Sequence, residues 1–226
     1  MFNIFWNEFS NSNNSIISQI FYAINNNVTQ CLNCQSKIYN FQTYFFLVFP
    51  LEEVRKYKIN NQFNMFNNFN NFNIFNNNEV SIYDCFDYDR KINVMTGENA
   101  MYCNFCKTRS NCNMCTFLTT LPEVLILLLN RGQGIEFNVK INFTEILDLR
   151  NYIENVNTGY NFQLIGVITH IGESGMGGHF IAYCKHPISN QWHKYNDGLV
   201  NEVTDFQNEI INFAMPYLLF YQKIDV

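Results

Sequence analysis

An α+β domain built around an antiparallel sheet is the fold class that this 226-residue sequence predicts. Three observations predict it. From Tyr160 onward, short strands rich in aromatic and β-branched residues alternate with polar or glycine-rich turns. The run Leu121–Asn130 (LPEVLILLLN) has the length and composition of a strand buried on both faces. Two Cys-x-x-Cys pairs, far apart in sequence, can tie a small β-element to a metal ion. The chain is 47% hydrophobic and 17% aromatic, enough for one domain with a real core. A net charge of −5 gives no electrostatic case for nucleic acid, which needs a clustered basic surface. No stretch reaches the roughly 18 apolar residues of a membrane span, so no membrane partner is expected. The opening MFNIFWNEFSNS lacks the basic and apolar regions of a signal peptide, so an intracellular, reducing location is expected.

The elements follow in order. Ser15 to Ala23 has apolar spacing that fits a helix or a short strand equally. Cys31 and Cys34 lie on a turn, and Lys37 to Leu51 reads as one strand closed by Pro50. Between Asn60 and Asn78, eleven of nineteen residues are Asn and Phe recurs every third position. That period matches neither helix nor strand, so the segment reads as a low-complexity insertion rather than a binding ladder. Val80 to Tyr88 is a short helix, and Cys103 to Cys115 a second cysteine-rich turn region. Four C-terminal strands are expected: Tyr160 to His170, His179 to His186, Gln191 to Asn196 and Tyr217 to Lys223.

Six of the eight cysteines fall in Cys-x-x-Cys pairs. Each such turn can present two thiolates to one ion, and zinc takes four in a tetrahedron. Cys112 and Cys115 follow Cys106 too closely to make a ribbon with Cys103 and Cys106. The closure expected is therefore Cys31, Cys34, Cys103 and Cys106, joined across the 68 residues between Cys34 and Cys103. Cys112 and Cys115 are left as spare thiols, a second site or alternates. A redox role for either pair lacks the βαβ context it needs.

The segment from Gly177 to Val200 reads GGHFIAYCKHPISNQWHKYNDGLV. If Pro187 to Asn190 forms a four-residue loop, His186 faces Gln191, Ile181 faces Asn196 and His179 faces Gly198. Strand side chains alternate, so Asn196 shares the face of His179 one diagonal step away, while Asp197 points to the other face. An amide there can accept one imidazole N–H and leave the second ring nitrogen to take a proton from a thiol. Gly177 and Gly178 allow a substrate backbone to approach closely. His170 ends a neighbouring strand and could line the site. His186 and His193 flank the turn as solvated residues. By alternation Cys184 faces away from His179 into the core, and Cys85 is a packing residue of the short helix.

These segments together resemble the ubiquitin-specific proteases. The resemblance rests on Tyr160–His170, Gly177-Gly178-His179-Phe180-Ile181-Ala182-Tyr183, Trp192–Asp197, the closing Pro216–Tyr221, both Cys-x-x-Cys pairs and the strand Leu121–Arg131. It implies a papain-like cysteine protease fold of that type, comprising zinc-binding fingers (about 24–120, with the Asn-rich insertion 60–78) and an antiparallel palm sheet (about 121–226). It implies a deubiquitinase that hydrolyses the isopeptide bond at the ubiquitin C-terminus, with His179 as base, Asn196 as orienting residue, Asp197 as an assisting acidic neighbour and a structural zinc. The family's cysteine box and helical thumb are expected to be missing from the thirty residues before Cys31, so residues 1–226 form a partial domain, inactive alone. The alternative is a catalytically inactive module that binds ubiquitin.

Overall fold

The computed structural model describes residues 2–66, 79–132, 138–154, 160–172 and 177–224. In chain order the elements are α1 (Phe2–Ser12), α2 (Ile16–Phe21), β1 (Ala23–Cys31), β2 (Lys37–Tyr44), β3 (Leu47–Pro50), α3 (Leu51–Phe66), β4 (Glu79–Ser81), α4 (Ile82–Asp89) and β5 (Asn93–Met95). They continue with β6 (Met101–Cys103), β7 (Thr108–Ser110), β8 (Cys112–Leu118), β9 (Val124–Asn130), β10 (Lys140–Asn142) and β11 (Ile146–Asp148). The last are β12 (Asn161–Ile171), β13 (His179–Lys185), β14 (Trp192–Asn196), β15 (Leu199–Glu202) and β16 (Pro216–Lys223).

Two sheets carry the architecture. The larger has the order β15-β14-β13-β12-β16-β9-β3, with β11 paired to β12 at the side. All its pairings are antiparallel except that of β3 with β9. The smaller sheet has the order β2-β1-β8-β5, and β6 and β7 form a separate hairpin beside it. These are the expected palm and finger sheets, and the α+β class with an antiparallel palm is observed.

Local chemistry explains most elements. Ser15 caps α2: its Oγ accepts from the Ser18 amide while Ser18 Oγ accepts from the Ser15 amide. This reciprocal cap resolves the helix-or-strand ambiguity toward a helix, followed by β1 from Ala23. Ser81 and Asp84 cap α4 in the same way, where a short helix was expected. α1 was not foreseen; it packs its rings on the finger sheet, with Phe2 and Phe5 against Phe41 and Phe9 against Tyr22. The single strand expected over Lys37–Leu51 is two strands in two different sheets, because the chain turns at Phe45 and Phe46. Leu51 then starts α3 directly after Pro50, with Glu52 and Glu53 in the first turn at the positive end of the helix dipole. α3 runs into the Asn-rich segment, of which residues 67–78 lie outside the described residues.

In β9, Leu125, Leu127 and Leu129 are fully buried while Val124, Ile126 and Leu128 on the other face are half-buried. One face is therefore core and the other only partly covered, rather than both buried. The core continues through Phe162, Leu164, Leu219 and Tyr221 of the palm to Ile82, Cys85 and Phe86 of α4. Phe86 meets Phe49 edge-on at 5.2 Å, which packs α4 against β3.

Candidate active site and metal centre

β13 and β14 form the hairpin expected from the sequence, in the expected register. Ala182 pairs with Tyr195 and Lys185 with Trp192, and the His186 amide donates to the Gln191 carbonyl at 2.8 Å. The loop is Pro187–Asn190, closed by Asn190 in the left-handed region (φ 58) and by its amide bond to the His186 carbonyl at 2.9 Å. Extending the ladder puts Asn196 opposite Ile181, on the face of His179. His179 Nε2 lies 2.6 Å from Asn196 Oδ1, so the ring N–H donates to the amide oxygen. In the neutral ring this tautomer leaves the lone pair on Nδ1.

Asp197 departs from the expectation. It does not continue the strand; Asp197 and Gly198 form a two-residue turn between the paired Asn196 and Leu199. With φ at 51 for Asp197, strand alternation no longer sets its direction, and Asp197 Oδ2 comes back to 3.7 Å from His179 Nε2. That is too long for a hydrogen bond, so the carboxylate acts only through its charge. Its side chain is 83% exposed and that of His179 42%, which keeps this term small. The Asp-Gly dipeptide between two apolar runs is the signal that would have revealed β15 and this turn.

Gly178 leads into β13 with φ 151, and a β-carbon there would overlap the His170 ring and the Ile171 carbonyl. The need for glycine is thus already intramolecular. His170 is buried and packs edge-on to Phe180 at 4.8 Å, with Tyr217 at 6.3 Å. Its cross-strand partner is Phe180, which puts it on the sheet face opposite His179. Gly177 is exposed, and no described residue crowds it.

In the finger, the thiols of Cys31, Cys34, Cys103 and Cys106 lie within 4.8 Å of one another. The two turns that carry them are alike. The Gln35 amide donates to the Cys31 carbonyl at 2.9 Å and the Lys107 amide to the Cys103 carbonyl at 2.8 Å. Gln35 and Lys107 both take left-handed φ, 61 and 58. Each turn points two sulfurs the same way. The Sγ atoms of Cys31 and Cys106 are 3.8 Å apart, those of Cys34 and Cys103 3.7 Å. Four thiolates around an ion at ~2.3 Å stand about 3.8 Å apart along the tetrahedron's edges. The set can hold a metal ion of zinc's size.

Electrostatics agree. The Cys103 thiol is lowered to about 6, first by the Cys106 amide and then by Ser36. Hydrogen bonding with Cys34, then burial, then hydrogen bonding with Cys103 and Cys31 push Cys106 up to about 12. Without a cation the quartet therefore does not carry four thiolates: one thiol ionises readily and a neighbour is held protonated.

The other four cysteines are dispersed. Cys112 and Cys115 sit three residues apart on β8 and so face opposite sides, which excludes a chelating pair. Cys85 is buried in α4, where burial raises its thiol above the ordinary value, the wrong direction for a nucleophile. Cys184 does face away from His179, but it is exposed rather than in the core.

Residues 3–221 match the profile of the family described as ubiquitin carboxyl-terminal hydrolase. The ubiquitin carboxyl-terminal hydrolase Usp2 of Drosophila melanogaster is 24% identical over 224 residues, covering 96% of this chain and 21% of that protein. Ubiquitin carboxyl-terminal hydrolase 2 of Gallus gallus is 33% identical over 150 residues, 64% of this chain and 41% of that protein. The solved SAGA DUB module of Ubp8, Sgf11, Sus1 and Sgf73 bound to monoubiquitin superposes with a TM-score of 0.72 at 22% identity, covering 99% of this chain and 48% of that one. The chain therefore spans less than half the length of these relatives.

Proposed function

The chain belongs to the ubiquitin carboxyl-terminal hydrolase family, and on that premise we propose that it forms the histidine-bearing part of a thiol-dependent deubiquitinase that hydrolyses the isopeptide bond at the ubiquitin C-terminus. The observation that carries this reading is the 2.6 Å contact of His179 Nε2 with Asn196 Oδ1. A structural histidine needs no such orientation; a base does, because it leaves Nδ1 free to accept a proton. Nδ1 takes the proton of a cysteine thiol, and the thiolate attacks the carbonyl carbon of ubiquitin's terminal glycine. The imidazolium, held by Asn196 and by the charge of Asp197, returns the proton to the departing lysine amine. Water then hydrolyses the acyl-enzyme with His179 again as base. Gly177 and Gly178 border the path of the substrate backbone, and His170 supports it from beneath Gly178.

The nucleophile of this reaction is supplied by residues other than these 226. Cys31, Cys34, Cys103 and Cys106 form the quartet, Cys184 faces away from His179, and Cys85, Cys112 and Cys115 lie on α4 and β8, outside the β13–β14 hairpin. On this reading the sheet β2-β1-β8-β5 with the hairpin β6-β7 serves as fingers, and the larger sheet, which takes β3 from within residues 24–120, as palm. Zinc held by Cys31, Cys34, Cys103 and Cys106 supplies cross-linking of the two finger turns. The setting is intracellular, where thiolates stay reduced; among the described residues no helix is long and apolar enough to cross a membrane.

A second reading, an inactive module that binds ubiquitin, is favoured by the same distribution of cysteines. A ubiquitin probe with a C-terminal electrophile is expected to bind the 226-residue chain without forming a covalent adduct. An adduct on any of the eight cysteines overturns the division of labour, and absence of binding sinks both readings. In a longer protein that carries the nucleophile, His179→Ala abolishes cleavage and preserves ubiquitin binding if the first reading holds; unchanged cleavage removes His179 from its role.

A further inference from the structure

Asp197 and Gly198 form the one Asp-Gly dipeptide of the sequence, and the fold places it in the two-residue turn directly after Asn196. Such turns carry a positive φ at both central residues (type I′) or at the first alone (type II′). Asp197 has φ 51 and the φ of Gly198 is not positive, so the pattern is type II′. The position that favours glycine is held by an aspartate, and the glycine stands where its special freedom is not needed. No crowding requires it either: a β-carbon on Gly198 would meet nothing within 4 Å. What a glycine at 198 does supply is an unshielded amide nitrogen next to the Asp197 carboxyl. The type II′ pattern gives its first residue a ψ of about −120°, which turns the following nitrogen toward that residue's own side chain. The Asp197 side chain is 83% exposed, and Gly198 is exposed. Among the described residues no hydrogen bond engages the carboxylate or the Gly198 amide. The strand beyond, β15, is exposed along its length and paired on one side only, so it can follow a small movement of the turn.

We propose that Asp197–Gly198 is a self-modification site, at which the chain converts its own aspartate to isoaspartate and so releases Asn196 from His179. The Gly198 nitrogen attacks Cγ of the protonated Asp197 carboxyl. An N–C bond forms, a C–O bond breaks, and the hydroxyl leaves with the amide proton as water. The product is a cyclic imide. Water then adds to one of the two imide carbonyls and an N–C bond breaks. Opening at Cγ restores aspartate. Opening at the main-chain carbonyl leaves isoaspartate, with the backbone running through Cγ. No oxidant or reductant takes part, and the water lost in closure is regained in opening. The modified backbone is one methylene longer between Asn196 and Leu199, whose pairing closes the turn. A two-residue turn lengthened in this way no longer holds both strands in register, so Asn196 Oδ1 leaves its 2.6 Å contact with His179 Nε2. The consequence for catalysis rests on the reading of His179 as base; the modification itself does not.

The test is ageing of the purified 226-residue chain at physiological temperature and near-neutral pH in heavy-oxygen water, followed by proteolysis and mass spectrometry. Each passage through the imide places one heavy oxygen on the residue. The peptide carrying Asp197 is expected to take up label and to split into aspartate and isoaspartate forms. It should do so well ahead of the peptides carrying the other aspartates, none of which precedes glycine. Gly198→Ala, whose methyl fits the turn and shields the nitrogen, is expected to slow uptake severalfold. Asp197→Asn, whose neutral amide expels ammonia in place of water, is expected to form the imide severalfold faster. Uptake at Asp197 no faster than at the other aspartates, or unchanged in Gly198→Ala, overturns the proposal. Amide hydrogen exchange gives a second readout: in the isoaspartate fraction the protection of the Leu199 amide is expected to be lost. Isoaspartate with that protection intact overturns the release of Asn196. Ubiquitin-probe binding by the unaged chain reports on the functional reading separately, so the failure of one is distinct from the failure of the other.

Discussion

His179 has one ring nitrogen engaged and one free, and the difference is made by a single residue on the next strand. Asn196 accepts the Nε2 proton at 2.6 Å. Asp197, at 3.7 Å, can strengthen that preference but cannot set it. Which strand face carries Asn196 was legible from counting residues across the turn; the direction of Asp197 was not. Alternation holds only while the backbone stays extended, and at φ 51 it no longer applies. Gly178 makes the same point in reverse. A glycine before the histidine reads naturally as an opening for substrate, yet its φ of 151 and the His170 ring packed against it already require it. Gly178→Ala is expected to destabilise the chain by about 1–3 kcal/mol. The cost should shrink in Gly178→Ala/His170→Ala, where part of the overlap is gone. Equal melting temperatures for wild type and Gly178→Ala would remove this account.

Among the elements, the histidine hairpin and the two cysteine turns were the most legible, because both are short-range constructions. A four-residue loop fixes the register of the strands it joins, and two cysteines separated by two residues share a turn whatever surrounds them. The helices were less so. α1 carries no cap signal and is held by rings from β2 and Tyr22. The break between β2 and β3 follows no pattern of apolar residues either, since both halves look like strand and differ only in which sheet they join. For the cysteine turns, acid is the simplest probe. A thiol held below its ordinary value keeps its thiolate, and the metal it binds, above that value and through neutrality; it loses them as pH falls through its own value. Protons compete with the metal for all four thiolates, and the Cys103 thiol is held below its ordinary value, so zinc is expected to stay bound at pH 8 and to be released on acidification. Release already complete at pH 7.5, followed with a zinc-sensitive dye, would contradict this ordering.

At the scale of the whole molecule, the palm is closed by a residue the sequence did not single out. Arg131 follows β9 and is fully buried. Its Nε donates to the Pro216 carbonyl at 2.8 Å and its Nη1 to the Val139 carbonyl at 2.7 Å, joining the end of β9 to the start of β16 and to the approach to β10. Burial lowers the guanidinium to about 10, which leaves it charged at neutral pH. Arg131→Met strands two buried carbonyls and is expected to cost about 2–4 kcal/mol in urea unfolding; a loss under about 0.5 kcal/mol would deny the residue this role. By contrast Leu127→Ala, in the centre of β9, is expected to cost a similar amount, about 2–5 kcal/mol, by leaving a cavity alone. What the sequence by itself determined was most of the C-terminal strands, the hairpin register, the ligand turns with the four cysteines that close into one quartet, and hence the family. What only the tertiary structure decided were the relations between distant segments. These are the division of Lys37–Leu51 between two sheets, the return of Asp197 toward His179, the place of Cys112 opposite Cys31, and the burial of Arg131. Register and turn chemistry act over a few residues and leave a pattern in the chain. Which sheets meet, and what lies under a strand, is decided by packing between segments that carry no mark of one another.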